Sequence, residues 1–355
     1  MNQHIDHIEI KNFKSIRHQK IEGCKRINVF IGYPNTGKSA ILEAISALSY
    51  LLKDFNESYS ELCRFKLPVE LFFNGNVSED ILIYISELVR IRFKYLDEHS
   101  FDFLVENLVD KSFTQDIFDN ETHKWESIKN IKYNDNGVNS KSITDLFDKF
   151  NSPFGDLLKV KKYCFQNSYN EFRTNGLVLD FPWGKNLVDI VQSHKELRKE
   201  IIELFQFYNL ELNIDQRINS MFGFKRLGDG LVYTIPFYQM ADTLQRLIFY
   251  KAAIMSNKDS VLLFEEPEAH MFPPYISKFT GDIIYEKSNN NQYFLATHSP
   301  FVMNDFLENA RDELSVYLVG YKNGETIIKR LNDEDLNKIY QHGVDLFFNI
   351  ESYLD

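Results

Sequence analysis

The amino-acid sequence predicts an α/β fold, a mixed and largely parallel sheet with flanking helices, interrupted by a long β-rich and helical insertion. Three observations carry that expectation. The string Gly32-Tyr33-Pro34-Asn35-Thr36-Gly37-Lys38-Ser39 joins an apolar run, Ile27–Ile31, to a long apolar helical stretch, Ala40–Leu52. Far down the chain, two more short apolar runs, Val261–Phe264 and Gln292–Ala296, stop abruptly in Glu265-Glu266-Pro267-Glu268-Ala269-His270 and Thr297-His298-Ser299-Pro300. Continuous apolar runs of this length suit strands buried on both faces of a parallel sheet. Between them, from about Asp54 to Phe150, the pattern changes to short alternating segments and polar turns.

The first element of the order is His7-Ile8-Glu9-Ile10-Lys11, which alternates as an edge strand would, with Phe13 and Ile16 continuing its apolar positions. Asn28–Ile31 is the next strand, and the string after it is a full phosphate-binding loop. Its glycines let consecutive backbone N–H groups turn inward around a polyphosphate without a Cβ clash. Lys38 supplies a positive charge near the β- and γ-phosphates, Ser39 a hydroxyl for Mg²⁺, and the following helix points its positive end at the anion. Gly32, Asn35, Thr36, Gly37, Lys38 and Ser39 are therefore the expected nucleotide-binding residues.

In the insertion, Val89–Tyr95 and Phe101–Val105 form a meander across the turn Asp97-Glu98-His99-Ser100, and Lys129–Tyr133 is a possible strand before the turn Asn134-Asp135-Asn136-Gly137. Asn74-Gly75-Asn76 and Asn151-Ser152-Pro153 punctuate the same region. Helical periodicity runs from Asn186 to Leu212, with Leu187, Ile190, Val191, Leu197, Ile201, Leu204 and Phe205 on one face. A helix follows at Leu247–Met255, and after Pro300 come strands near Leu314–Tyr321 and Glu325–Lys329 and a helix at Glu334–Gln341.

Composition bounds the function. With 31 Phe and 19 Tyr among 355 residues the chain can fill a real core. Cys24, Cys63 and Cys164 lack pairing or metal-ligand spacing and read as small apolar side chains in a reducing compartment. The N-terminus does not read as a secretion signal, and no apolar run approaches the roughly 18 residues of a membrane span, so a cytoplasmic protein without a membrane domain is expected. The net charge of −11 argues against wholesale binding of nucleic acid but leaves room for a local groove. The basic clusters at Lys11, Lys14, Arg17, His18 and Lys20, at Lys159, Lys161 and Lys162, and at Lys195, Arg198 and Lys199 read as solvated faces of strands or helices.

Ligand sites in open parallel sheets gather outside the carboxyl ends of the strands, so the two later motifs can meet the phosphate loop. Glu265 would hold Mg²⁺ through its water shell. Glu266 would polarise the attacking water, and His298 would donate to the γ-phosphate as charge develops.

Together with Ile8-Glu9-Ile10-Lys11-Asn12-Phe13-Lys14-Ser15, these motifs resemble the ABC-class ATPases of the RecF, SMC and OLD group, most of all the AAA-type ATPases of bacterial phage-defence and abortive-infection operons. The resemblance runs from end to end, with Gly184-Lys185-Asn186-Leu187 adding modestly. It implies an ABC-type phosphate-loop ATPase head, split into an N-terminal part over 1–53, an inserted arm over 54–225 and a C-terminal part over 226–355. It further implies ATP and Mg²⁺ as cofactors and an ATP-dependent homodimer or higher oligomer. Each nucleotide would then lie between the phosphate loop of one copy and a signature segment of the other.

By position that segment is Ala241-Asp242-Thr243-Leu244-Gln245-Arg246, where the family usually shows Ser-Asp-Gly-Thr. Ala241 lacks the hydroxyl that would reach a γ-phosphate in trans, and Thr243 is β-branched where glycine permits close approach. Asp242 and Arg246 are retained, so slow hydrolysis or a long-lived ATP-bound state is expected. Gln166 is the candidate for the glutamine the family places at the junction with the insertion. OLD nucleases carry a metal-dependent TOPRIM domain after the ATPase, and the chain after Pro300 is too short for one; Asp333, Glu334, Asp335 and Asp345 read instead as helix caps or solvated residues. The leading expectation is a regulator of a separately encoded effector, such as a nuclease, in anti-phage defence. The alternatives are a DNA-binding repair or recombination clamp and a scaffold that binds nucleotide but barely hydrolyses it.

Overall fold

The computed structural model describes residues 4–49, 62–98, 100–107, 131–132, 159–166, 176–342 and 346–354. Its centre is a six-stranded sheet in the order β15-β14-β3-β13-β12-β8. Here β3 is Ile27–Ile31, β8 Lys159–Tyr163, β12 Ser260–Glu265, β13 Gln292–Thr297, β14 Leu314–Lys322 and β15 Glu325–Arg330. All neighbours are parallel except the β14–β15 hairpin. The expectation of a mixed, largely parallel sheet is met. Every residue of β3 and β13 is buried, because helices or a second sheet cover both faces.

That second sheet is antiparallel, in the order β2-β1-β4-β5-β6-β7. It comprises β1 (His7–Phe13), β2 (Ile16–Glu22), β4 (Ile81–Ile85), β5 (Val89–Asp97), β6 (Ser100–Asn107) and β7 (Ile131–Lys132). The alternation read at His7–Lys11 is correct, but the edge position is not. β1 pairs through its backbone with β2 on one edge and β4 on the other, and Ile8 and Ile10 are buried on one face of the sheet. Ile16 does not extend that strand; it opens β2 after a tight turn in which Lys14 takes φ 50°.

The meander expected in the insertion is therefore bonded to the N-terminal hairpin, with Asp97 paired to Ser100 across its turn. Helix α1, Lys38–Ser46, packs against β1 and β4 on one side and β8, β12 and β13 on the other. Eight of its nine residues are buried, which fits a helix held between two layers. Full burial of each Ile or Leu here is worth roughly 1.5–3 kcal/mol.

The region 186–212 holds two helices rather than one: α2, Leu187–Ser193, and α3, Lys195–Phe207. They part at His194, whose extended backbone caps α3. The apolar face read from the sequence is the buried one, but Leu212 belongs to β9 (Glu211–Asp215), a strand beyond a turn at Asn209. With β10 (Ser220–Gly228) and β11 (Leu231–Pro236) it makes a third, three-stranded sheet that the periodicity did not reveal. Four further helices follow: α4 (Asp242–Ser256), α5 (Pro273–Tyr285), α6 (Pro300–Asn309) and α7 (Asp333–His342), with a short α8 at Ile350–Leu354. Tyr250 of α4 and Phe279 of α5 pack on Phe264 of β12, with ring centroids 5.2 and 6.1 Å away, and so cover the face of the parallel sheet opposite α1.

At the start of α7 the Asn332 side chain accepts from the Asp335 backbone N–H at 2.8 Å, the Asp335 carboxylate accepts from the Asn332 N–H at 3.4 Å, and Glu334 pairs on the surface with Lys338 at 2.7 Å. The turns at 134–137 and 151–153, the end of the predicted helix beyond residue 49, and Asp345 lie outside the described residues.

Candidate functional site

β3, β13 and β12 are neighbours, so the phosphate loop, Glu265 and His298 emerge side by side from one edge of the sheet. The two loop glycines are demanded by their surroundings. A Cβ on Gly32 would lie 2.1 Å from the Val319 carbonyl, and one on Gly37, at φ 105°, would lie 2.2 Å from Thr326 Oγ1. Thr326, fully buried on β15, donates to the Thr36 carbonyl at 2.8 Å and braces the loop from behind. Thr36 Oγ1 closes it internally by donating to Tyr33 O at 2.9 Å, and Asn35 takes φ 61° at its crest.

No side chain caps α1 and no acid stands in its first turn, which leaves its N-terminal N–H groups for an anion. Lys38 curls over the loop and donates to Gly32 O at 2.9 Å and Tyr33 O at 2.8 Å. Burial lowers its pKa to about 8, against the opposing pull of Glu266 and Glu265.

Ser39 donates to Glu265 Oε1 at 2.5 Å, which joins the two expected Mg²⁺ residues directly. A hydroxyl and a carboxylate are hard oxygen donors, and Mg²⁺ takes few protein ligands beside phosphate and water, so the pair fits that ion. When bound there it would neutralise charge on the β- and γ-phosphates. Glu265 has further partners that the sequence did not single out: Arg64 Nη2 at 2.9 Å and Lys162 Nζ at 3.4 Å. Burial works to raise the Glu265 pKa, but Lys162, Ser39 and Arg64 outweigh it and hold the carboxyl below its ordinary value.

Arg64 also donates from Nε to Glu43 at 2.8 Å, and Lys14 reaches the same buried carboxylate at 2.5 Å. The chain Lys14–Glu43–Arg64–Glu265–Lys162 thus ties the N-terminal hairpin, α1, β8 and β12 around the metal residues. Lys162 corrects the reading of its cluster as a solvated face: it is 3% exposed, because β8 is packed into the sheet beside β12. Its signal was available in the strand pattern Lys159-Val160-Lys161-Lys162-Tyr163, where Val160 and Lys162 share one face.

Glu266 leaves the strand with a positive φ of 44°, a conformation uncommon for such a residue and concentrated at working sites. The turn aims its half-exposed carboxylate at His298, whose Nε2 lies 3.3 Å away. Burial, then the charge of Lys38, lower the His298 pKa, with Glu266 opposing, so the ring is neutral at pH 7.

Behind this pair, Glu268 is buried; it accepts from Thr297 Oγ1 and, at 3.4 Å, from the His298 backbone N–H. Burial raises its pKa despite those contacts. Thr297→Val, which keeps the shape but removes the donor, is expected to lower stability by about 1–3 kcal/mol, seen as a lower urea midpoint at unchanged slope. An unchanged midpoint would mean that Glu268 does not depend on Thr297.

Among the described residues, no hydrogen bond joins the signature-like segment to the phosphate loop of its own chain. Ala241 is the N-cap of α4 and offers no side-chain bond. Thr243 Oγ1 donates to His270 O at 2.8 Å, and Asp242 accepts from Arg246 Nε at 2.7 Å. Arg246 also stacks 4.7 Å from the Phe165 ring. Gln166 is exposed, just past the carboxyl end of β8.

A family model described as "AAA domain, putative AbiEii toxin, Type IV TA system" matches residues 27–304, most of the chain, and the chain belongs to that family. No curated protein matches it. Among solved structures, an Smc head bound to the C-winged helix domain of ScpA is 14% identical, covers 95% of this chain and 100% of its own, and superposes with a TM-score of 0.51. The SMC head domain from Thermotoga maritima is 14% identical over 92% of this chain and 99% of its own, with a TM-score of 0.44. An Smc head with an extended coiled coil, bound to the C-terminal domain of ScpA derived from Pyrococcus furiosus, is 13% identical over 96% and 99%, with a TM-score of 0.49. The fold is that of an Smc head domain. Among the described residues no helix is long and apolar enough to cross a membrane.

Proposed function

We propose that this chain is an ATP-driven switch that binds Mg²⁺-ATP on its phosphate loop, closes on a second copy and controls a separately encoded effector in anti-phage defence. The observation that carries the ATPase part is the convergence of Ser39 with Glu265 and of Glu266 with His298 at the ends of three adjacent strands. Lys38 and the loop N–H groups would hold the phosphates, Glu266 would take a proton from the attacking water, and a neutral His298 would donate a hydrogen bond to the γ-phosphate. The AbiEii-toxin description of the family supports the defence role, and the ScpA domain bound to the similar Smc head supports a protein partner. Phosphate release that requires Mg²⁺, together with ATP-dependent dimerisation in sedimentation velocity, tests the switch. Absence of both from folded protein would overturn it. Tight, strongly salt-dependent binding to duplex DNA would favour a clamp instead.

The signature-like segment gives a further expected result. A segment with neither a hydroxyl at position 241 nor a glycine at 243 stabilises developing charge poorly, so turnover by the parent protein should be slow. Ala241→Ser with Thr243→Gly should raise it about tenfold, or roughly 1.4 kcal/mol off the barrier. A serine at the N-cap of α4 can also bond the N–H groups of its first turn, which offsets the bond to His270 O that Thr243 loses. Affinity of the isolated subunit for ATP should not change. If neither rate nor ATP-dependent assembly moves, these residues do not meet the partner's nucleotide.

A further inference from the structure

The third sheet runs out into a hairpin that leaves the body of the molecule. β9 pairs with β10 only as far as Phe224, so from Lys225 and Tyr233 outward β10 and β11 continue without a third strand. The turn Gly228-Asp229-Gly230 holds a positive φ at all three positions, and a Cβ added to either glycine would meet no atom within 4 Å. Every residue from Lys225 to Thr234 is exposed. Leu227, Leu231, Val232 and Tyr233 are 61%, 66%, 50% and 57% exposed, and because successive residues of a strand point to opposite faces, both faces of the ribbon show apolar surface to solvent. A two-stranded ribbon of this kind is marginal in water unless something packs on it.

β11 also departs from the other strands at sheet edges. Among the described strands that end a sheet, β2, β7, β8, β9 and β15 each carry charged side chains, such as Arg17, Lys132, Lys159, Glu211 and Lys329. Charges there keep an edge from pairing with another chain. β11, Leu231-Val232-Tyr233-Thr234-Ile235-Pro236, has none, and its outer edge meets no described strand. Its single guard, Pro236, pairs with Phe222 at the end nearest the body and leaves the projecting part open. The cations of the ribbon lie on β10, where Arg226 is matched within its own sheet by Glu211 at 3.2 Å.

We infer that the outer edge of β11 is a docking site for β11 of a second copy, the two strands pairing antiparallel about a two-fold axis and joining two three-stranded sheets into one. Copies of a chain with a net charge of −11 repel one another, and a strand without charge lets them approach with no like charges opposed. The pairing uses the same residues twice and closes on itself, which limits it to a pair. Each strand then covers part of the other's apolar ribbon and takes up edge N–H and C=O groups that are otherwise left to water. This contact needs no nucleotide and is separate from the ATP-dependent closure proposed above; the two together build assemblies larger than a dimer.

Sedimentation velocity of the nucleotide-free full chain over a concentration series tests it. The parent should associate reversibly into dimers as its concentration rises. Thr234, in the middle of β11, stands opposite Phe224, so a charge placed there meets none across its own hairpin but faces its own kind across the two-fold axis. Thr234→Glu and Thr234→Lys should each weaken association by about tenfold or more, and an equal mixture of the two should restore it. ATP affinity should be unchanged in both variants, and ATP should still close each of them into dimers, so failure here leaves the ATP switch standing. A parent that stays monomeric without nucleotide at every concentration would overturn the proposal. So would dimers indifferent to both charges, or a mixture that does not reassociate.

Discussion

Lys38→Ala is expected to weaken ATP binding by roughly a hundredfold or more while leaving a folded protein. The side chain is the only cation on a loop otherwise made of backbone donors, and it is 5% exposed. Each charge-assisted hydrogen bond to phosphate is worth about 1.5–3 kcal/mol, so losing two of them weakens affinity by roughly a hundredfold or more. The loop itself should survive, since Thr36 and Thr326 hold it independently of the lysine. Isothermal titration with ATP in the presence of Mg²⁺ checks this, with circular dichroism as the test of folding; unchanged affinity in a folded variant would remove Lys38 from the site.

The same residue predicts a pH dependence. With the free-state pKa lowered to about 8 by burial, and raised again once phosphates surround the ammonium, ATP-bound protein holds the proton more tightly. Affinity is then fully present below pH 8 and falls by about tenfold per unit above it, because binding must take up a proton. Lys38→Arg should flatten that dependence.

Much of this architecture is legible in the sequence because its signals are local. The strand, glycine loop and helix around Lys38 are contiguous, and strands β12 and β13 announce themselves as apolar runs that end in polar chemistry. What is not legible depends on long-range pairing. Nothing in His7–Lys11 says that Ile81–Ile85 will cover its second edge. Arg64 reaches Glu265 across 201 positions, and Lys162 reads as a surface residue until β8 is placed beside β12. The break at His194 and the strand at Leu212 were lost for a different reason: apolar spacing continues across both, and a single period fits two elements when a turn conserves the phase. In the site, the residue types of Glu266 and His298 were enough to suggest roles, whereas the positive φ that turns Glu266 toward the histidine is a backbone fact no side-chain pattern carries.

Glu266→Gln is expected to leave ATP binding within about twofold of the parent while phosphate release falls by roughly a hundred- to ten-thousandfold, the range for losing a general base. The substitution preserves size and the ability to hold a positive φ, so the turn after β12 should not relax. Glu266 is half-exposed and bonded to neither the loop nor Ser39, unlike Glu265, which is why binding and turnover should separate here. His298 would lose the one neighbouring charge that raises its pKa and would stay neutral, keeping its capacity to donate to the γ-phosphate. Because ATP binds but is not consumed, the ATP-bound dimer should accumulate and become visible in sedimentation velocity at protein concentrations where the parent is monomeric. Glu265→Gln is the contrasting variant: it removes the carboxylate that meets Ser39, Arg64 and Lys162, so its loss should appear as a raised Mg²⁺ requirement. Equal phosphate release by Glu266→Gln and the parent would take Glu266 out of the reaction and leave its approach to His298 a structural contact only.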